Sequence, residues 1–456
     1  MNVILEGLDA AGKTTLAEKL RDKFGMNIIH STSKTRNDLN YHLDLLDYQN
    51  NTVFDRFSVG EFVYPKIYGR DPKITDDEFK IIEKRIIDNN DLFIIFITSN
   101  MNIINERLIA RNEYEYLKEM NDQNILFSEY AKKFRDKYRD YKNFYVIDVA
   151  LPDAYNKLDE WIDSHFGKIT PNIAYKKLAN DLLDYGKPID SSNPRGSTYE
   201  LCNYQFVIDD ISGNECVTLK NGNTNLTYVA AELLWYWSAR NDVKFISKFS
   251  AFWNKVSDDG KTANSAYGYI LQKKHGFNQI EKIIELLKYD PNSRRAVLNI
   301  NVPNENVIKT KDEMCTICLN YQIRNGKLHS TCVLRSNDFN FGLRNDLPFF
   351  ISVQKYIADR LGLEYGSYTH YAFSMHMYSK DVEFAKNIAY GTMETINKRL
   401  DINKLIDHKD ELVDWIDNKF NVKTPHRADN EMLEILKEYR DKFTEELIKL
   451  GIIYEI

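Results

Sequence analysis

Four short apolar runs without polar alternation lie in the first third of the chain: "NVILEG", "NTVFDRF", "DLFIIFIT" and "NFYVIDV". Runs of this kind predict strands covered on both faces. Between them fall amphipathic stretches such as "DDEFKIIEKRIID", which predict helices. The alternation predicts an α/β domain over residues 1–167, a parallel sheet with helices on both faces. The pattern breaks at "SHFGKITPN", where Gly167 and Pro171 predict a linker. From about residue 173 the order changes. A helix "IAYKKLANDLLDYG" precedes a strand "YELCNYQFVID", an apolar helix "AAELLWYWSA", strands "SRRAVLNINVP" and "TICLNYQI", and a helix "PFFISVQKYIADRLG". This predicts an α+β domain over residues 168–394 with a large mixed sheet. Residues 395–456 read as a helical extension, with Met432, Leu436, Tyr439, Phe443 and Leu447 on one stripe.

Composition narrows the partners. The 456 residues are 43% hydrophobic and 28% charged, ordinary for a globular protein of two or three domains. No apolar run is long enough to cross a bilayer, so no membrane partner is expected. The N-terminus "MNVILEGLDAAGK" lacks the basic and apolar regions of a secretory signal. Five cysteines, an odd number, fit no disulfide framework, and a reducing cytoplasm is the expected setting. A net charge of −6 argues against a nucleic-acid-binding surface. Anionic small molecules would need local clusters of arginine and lysine.

The first such cluster is "GLDAAGKT", residues 7–14, which fits G-x-x-x-x-G-K-[ST]. Gly7 and Gly12 let backbone N–H groups turn onto phosphate oxygens, Lys13 reaches the β/γ-phosphates, and Thr14 can hold Mg²⁺. A strand precedes the loop and a helix follows it, whose N-terminus adds partial positive charge. "LEGLDAAGKTT", "DRF" at Asp55–Phe57 and "ERLIARNEYEYL" together resemble thymidylate kinases and their deoxynucleoside-kinase relatives. The resemblance implies that Asp9, Thr15, Arg56, Arg107 and Arg111 join the loop around ATP. It also implies that Asp55 serves Mg²⁺ or the acceptor, and that Arg107 and Arg111 sit on a lid. The acceptor stays open among a deoxynucleoside monophosphate, a nucleoside and a hydroxyl on a modified base.

The second candidate site centres on Cys315 in "EMCTICLNYQI" and on the polar run "RSNDFNFGLRND", residues 335–346. Cys315-x-x-Cys318 lacks the second ligand pair that zinc requires, and it lies on a strand pattern rather than at the helix start of a redox pair. Its surroundings resemble the thymidylate synthase family across residues 173–390. On that resemblance Cys315 is the nucleophile and Glu232 the catalytic glutamate. Arg195, Arg335 and Ser336 bind the nucleotide phosphate, and Arg294 and Arg295 reach a partner's phosphate site in a homodimer. Tyr267 lies near the reacting base, Trp253 and Asp338 near the folate, and His376 and Tyr378 near the sugar 3′-hydroxyl. A thiolate at C6 makes C5 of a pyrimidine nucleophilic enough to take up one carbon, which explains the thiol and its arginines.

Asp346 stands where thymidylate synthases carry Asn. An amide matches the O4 and N3–H edge of uracil, whereas a carboxyl can accept from the N4 amine of cytosine and, with a proton, donate to N3. Asp here resembles the bacteriophage-type deoxycytidylate hydroxymethylases. Thr316 after the nucleophile, "FGLRND" in place of "LGLPFN", and Val256 in place of a second folate-side Trp agree. The expectation is a bifunctional enzyme. One domain would convert dCMP and 5,10-methylenetetrahydrofolate to 5-hydroxymethyl-dCMP, and the other, with ATP and Mg²⁺, would phosphorylate a deoxynucleoside monophosphate. The setting would be cytoplasmic, in an infected host cell if the source is viral. Competing expectations are methylation in place of hydroxymethylation, a thymidylate synthase–kinase fusion, and a first domain that binds nucleotide without turnover.

Overall fold

The computed structural model describes the chain apart from residues 33, 50, 90, 166–167, 191–195, 214, 302–306 and 421–429. Gly167 and Arg195 therefore lie outside the described residues. The chain divides into two compact units, Met1–Lys168 with Tyr390–Met393, and Ile169–Ala389 with Glu394–Ile456.

The first unit is built on five parallel strands: β1 (Asn2–Gly7), β2 (Asn27–His30), β3 (Thr52–Asp55), β4 (Leu92–Thr98) and β5 (Phe144–Asp148), in the order β2-β3-β1-β4-β5. β1 and β3 are buried throughout, and β4 is buried but for its last residue, which is why their sequences are mainly apolar and do not alternate. The chain leaves β1 for β2 on one side of the sheet and later enters β4 on the other. That reversal places the carboxyl ends of β1 and β3 at the crevice where α/β sheets hold ligands.

The second unit carries β6 (Lys187–Ile189), β7 (Thr198–Ile208), β8 (Val297–Asn299), β9 (Thr316–Arg324), β10 (Lys327–Leu334), β11 (Asn337–Asp338) and β12 (Glu364–Tyr378). The order is β6-β7-β12-β10-β9-β8, with β11 paired to β12. β10 and β12 run parallel and β9 and β10 form an antiparallel hairpin, so the sheet is mixed. β10 alternates buried and half-buried residues, as a sheet with one covered face requires. The helix Gly342–Leu361 covers β10 and β12, burying Leu343, Leu347, Phe350, Ile351 and Ile357.

Two expectations are revised. That helix starts at Gly342, six residues before Pro348, so Asp346 is helical and does not lie in a loop. The start is set by Asp338, whose Oδ2 accepts from the Phe341 and Gly342 N–H groups at 2.7 and 3.2 Å. The C-terminal extension is helical over Ile402–Asp407, Lys409–Lys419 and Asn430–Lys449, but a ribbon of β13 (Lys398–Leu400) and β14 (Ile453–Glu455) brackets these helices. Leu436, Phe443 and Leu447 of the expected stripe are buried. Phe443 packs edge-on against Phe249 at 5.3 Å and lies 5.6 Å from Trp415. No helix among the described residues is long and apolar enough to cross a membrane.

Candidate functional site

In the second unit Cys315 sits just before β9, and Arg335 just after β10. The Arg335 N–H donates to the Cys315 carbonyl at 2.8 Å, one rung beyond the hairpin ladder, and so sets the two side chains together. The guanidinium donates to the carbonyls of Met314 and Glu313 at 2.9 and 3.0 Å and stands 3.6 Å from Cys315 Sγ. A fixed positive charge at that distance favours the thiolate, the form that attacks carbon. Cys318 is a second free thiol, half-buried on β9, and burial pushes its pKa up. Ser336 Oγ lies 3.4 Å from His376 Nδ1, and the His376 ring stands edge-on to Tyr378 at 5.4 Å. Arg294 and Arg295 are exposed on the turn before β8.

Glu232 is the one charged residue in the helix Leu226–Trp237, every other part of which is apolar or aromatic apart from Thr227. Only 5% of its surface is accessible. Burial drives its pKa up to about 8, and the nearby Asp346 charge adds to the rise. The Tyr228 hydroxyl opposes the shift by donating to Glu232 Oε1 at 2.7 Å, and accepts from Trp253 Nε1 at 3.0 Å. Trp253, Tyr228 and Glu232 thus form a buried chain whose end is a carboxyl poised to exchange protons near neutrality.

Asp346 retains partial solvent access, yet enough protein surrounds it that desolvation raises its pKa to about 7. Asn337 Nδ2 donates to its Oδ2 at 3.0 Å and favours the ionised form, while the Asp338 charge disfavours it. Tyr267 is buried, and its phenol is held well above its ordinary pKa by burial, with Asp346 and Cys315 adding to the rise. Tyr267 with Cys315 and Asp346, and Asp346 with Glu232, are therefore electrostatic neighbours.

The expected folate residues differ in exposure. Trp253 is buried, with its indole N–H spent on Tyr228. Asp338 spends its carboxyl on the N–H groups that start the helix. Phe252 and Phe341 are 37% and 43% accessible and lie 5.5 Å apart, and Phe341 is 6.2 Å from Tyr228. A pair of open aromatic faces beside the glutamate chain suits a flat heteroaromatic ring. These two residues were not expected from sequence; an exposed phenylalanine carries no sequence mark.

In the first unit Gly7 ends β1 at φ 136°, and a Cβ there would meet the Ile97 carbonyl oxygen at 2.0 Å. Gly12 has φ 100° and opens the helix Lys13–Phe24. Both conformations need glycine. Lys13 is buried, donates to the carbonyls of Gly7 and Leu8 at 2.8 and 2.6 Å, and is lowered by burial to about 8. Thr14 Oγ1 donates to Asp55 Oδ2 at 2.9 Å, and His30 Nδ1 lies 3.0 Å from the same oxygen. Asp55 Oδ1 is buried without a hydrogen-bond partner among the described residues. Arg56 pairs with Asp9, and Tyr64 donates to Asp9 Oδ2 at 3.3 Å. Arg107 donates to the Ala10 carbonyl at 3.0 Å and so lies against the loop, whereas Arg111 is exposed at the end of its helix and Thr15 is also exposed.

The family model for thymidylate synthase matches residues 173–428, more than half of the chain. Over 176 residues the chain is 34% identical to a deoxyuridylate hydroxymethyltransferase of Bacillus phage SP01, covering 36% of this chain and 46% of that protein. Over 169 residues it is 31% identical to a deoxycytidylate 5-hydroxymethyltransferase of Enterobacteria phage T4, covering 36% of this chain and 64% of that one. A thymidylate synthase of Bacillus subtilis subsp. natto is 25% identical over 236 residues, 49% of this chain and 82% of the relative. The chain thus spans between about half and two thirds of the two phage relatives.

Proposed function

The chain belongs to the thymidylate synthase family, and on that premise we propose that its second unit makes 5-hydroxymethyl-dCMP from dCMP. The folate, 5,10-methylenetetrahydrofolate, supplies the carbon as an electrophile. Cys315 adds as thiolate to C6, and the electron pair moves to C5, which bonds the incoming carbon. Glu232, through water, takes the proton that C5 gives up, and the bond from the new carbon to the folate nitrogen breaks, so that tetrahydrofolate leaves. Water then bonds to the remaining exocyclic methylene, its extra proton is lost, and the thiolate departs from C6. Arg335 and Ser336 hold the nucleotide phosphate with Arg195, and Arg294 and Arg295 reach it across a homodimer interface. His376 and Tyr378 hold the sugar, and Phe252 and Phe341 join Trp253 and Asp338 around the folate.

One observation carries the choice of base: a carboxyl, Asp346, pushed up to about 7 by burial and standing close enough to Glu232 and Tyr267 to raise both of theirs. Half-protonated at neutral pH, it offers both the acceptor for N4 and the donor for N3. The phage relative named for deoxycytidylate supports this reading. A second reading, dUMP as substrate, is favoured by the relative named for deoxyuridylate.

For the first unit the proposal is an ATP- and Mg²⁺-dependent kinase that phosphorylates a deoxynucleoside monophosphate, the hydroxymethylated product being the natural acceptor. The loop glycines, the Lys13 ammonium, the Thr14–Asp55 pair and Arg107 against the loop support it, since phosphoryl transfer asks mainly for positioning and charge neutralisation. The test is turnover of dCMP and dUMP in parallel with the folate, with Cys315→Ser as control. Preferred turnover of dCMP is expected, lost in the variant; preferred turnover of dUMP would overturn the base assignment.

A further inference from the structure

The polar run between β10 and the helix Gly342–Leu361 holds a residue with no role so far, Asn337. It is 3% accessible, and its Nδ2 donates to Asp346 Oδ2 at 3.0 Å. The bond is made to Oδ2 and not to Oδ1, so the two oxygens of the carboxyl are not equivalent. Gly342 closes the other side: a Cβ there would come within 3.2 Å of Asn337 Nδ2 and 3.7 Å of Asp346 Oδ2. The amide is thus clamped against one oxygen of the carboxyl.

The clamp matters because a neutral carboxyl is ambiguous. With its proton on one oxygen it complements cytosine, which accepts at N3 and donates at N4. With the proton on the other oxygen it complements uracil, which donates at N3 and accepts at O4. A free carboxyl moves its proton to suit either base and discriminates poorly. An oxygen that already accepts a hydrogen bond is the poorer place for the proton.

We propose that Asn337 is a positioning residue for base choice: by donating to Asp346 Oδ2 it keeps that oxygen an acceptor, leaves the proton to Oδ1, and commits the carboxyl to the cytosine pattern. The inference rests on the reading of Asp346 as the group that meets the N3 and C4 edge. Oδ1–H then donates to N3, and Oδ2 accepts from the N4 amine. Gly342 is part of the device because a Cβ there crowds the amide.

The test compares kcat/KM for dCMP and dUMP, with methylenetetrahydrofolate, in the full chain and in Asp346→Asn, Asn337→Leu and Gly342→Ala. Asn337→Leu should lower the dCMP-to-dUMP ratio by at least about tenfold, with the gain on dUMP as telling as the loss on dCMP. Gly342→Ala keeps the amide but crowds it, and should move the ratio the same way by less. It suits a helix start, so it decides the matter if Asn337→Leu does not fold. Variants that slow both bases alike, with the ratio held within about twofold, would assign Asn337 a merely structural role and overturn the inference. The reading of Asp346 fails separately, by a wild type that does not prefer dCMP or by an Asp346→Asn variant that does not shift towards dUMP. If Asp346→Asn shifts the ratio and the other two do not, only the inference about Asn337 falls.

Discussion

Removing one oxygen atom, in Tyr228→Phe, probes how Glu232 handles protons. The Tyr228 hydroxyl donates to Glu232 Oε1 at 2.7 Å and accepts from Trp253 Nε1 at 3.0 Å, both in buried surroundings. A hydrogen bond to a charged group contributes about 1.5–3 kcal/mol and one to a neutral group about 1 kcal/mol. The difference is roughly one pKa unit, since a unit corresponds to about 1.4 kcal/mol. Glu232, at about 8 in the native chain, therefore rises to roughly 9. At pH 7 the ionised fraction falls from roughly one in ten to roughly one in a hundred. A step that needs Glu232 as proton acceptor slows about tenfold there, and the loss shrinks as pH rises. The stranded Trp253 N–H adds about 1–3 kcal/mol of destabilisation. The assay is a pH profile of kcat on dCMP, with thermal unfolding alongside. An unmoved acid limb, or a loss of rate equal at every pH, would refute the coupling between Tyr228 and the proton transfer.

Three further perturbations test other parts. Lys13→Ala should abolish ATP turnover, measured as ADP release with a deoxynucleoside monophosphate present; equal turnover in both forms would remove the kinase reading. Phe443→Ala should cost about 3–5 kcal/mol by urea titration, because the ring is inaccessible and packs between Phe249 and Trp415; a loss below about 1 kcal/mol would mean the extension is loosely held. Glu6 and Asp346, at about 7, and Glu232, at about 8, bind protons more tightly folded than unfolded. Stability from these groups therefore falls as pH rises from the ordinary carboxyl range to about 8. His42 and His370 are held down to about 4 and about 3, so they are neutral in both states above pH 6.5 and do not oppose the trend. The thermal midpoint should drop between pH 6.5 and 8, and a rise over that range would contradict the shifts.

Much of the framework was legible because burial writes itself into composition. β1, β3 and β4 are covered on both faces, and their sequences are mainly apolar with no polar alternation. Strands without such a run escaped: the central β10 and β12, and the edge and short strands. β2 is only half-buried, and β6 is three exposed residues containing a proline. β8 spans three residues of a longer strand-like run. Residues that act through spacing, such as Gly7, Lys13 and Thr14, could be found in one dimension. Residues that act through a neighbour could not. Nothing in "RSNDFNFGLRND" says that Asp338 begins a helix, that Asp346 lies on it, or that Asn337 turns onto Asp346. Asn337 and Asp338 are also paired with Met375 and His376 of β12, a partner far along the chain that no local pattern announces.

The central claim is that water completes the product on a cytosine base. The measurement that meets it most directly is mass spectrometry of the nucleotide formed from dCMP and methylenetetrahydrofolate by the full chain, with and without ATP. The account predicts a product heavier than dCMP by one CH₂O unit, and its diphosphate once ATP is added. A product heavier by CH₂, with dihydrofolate formed alongside, would mean hydride transfer and contradict the hydroxymethylase reading, and dCMP left unmodified would contradict the role given to Asp346.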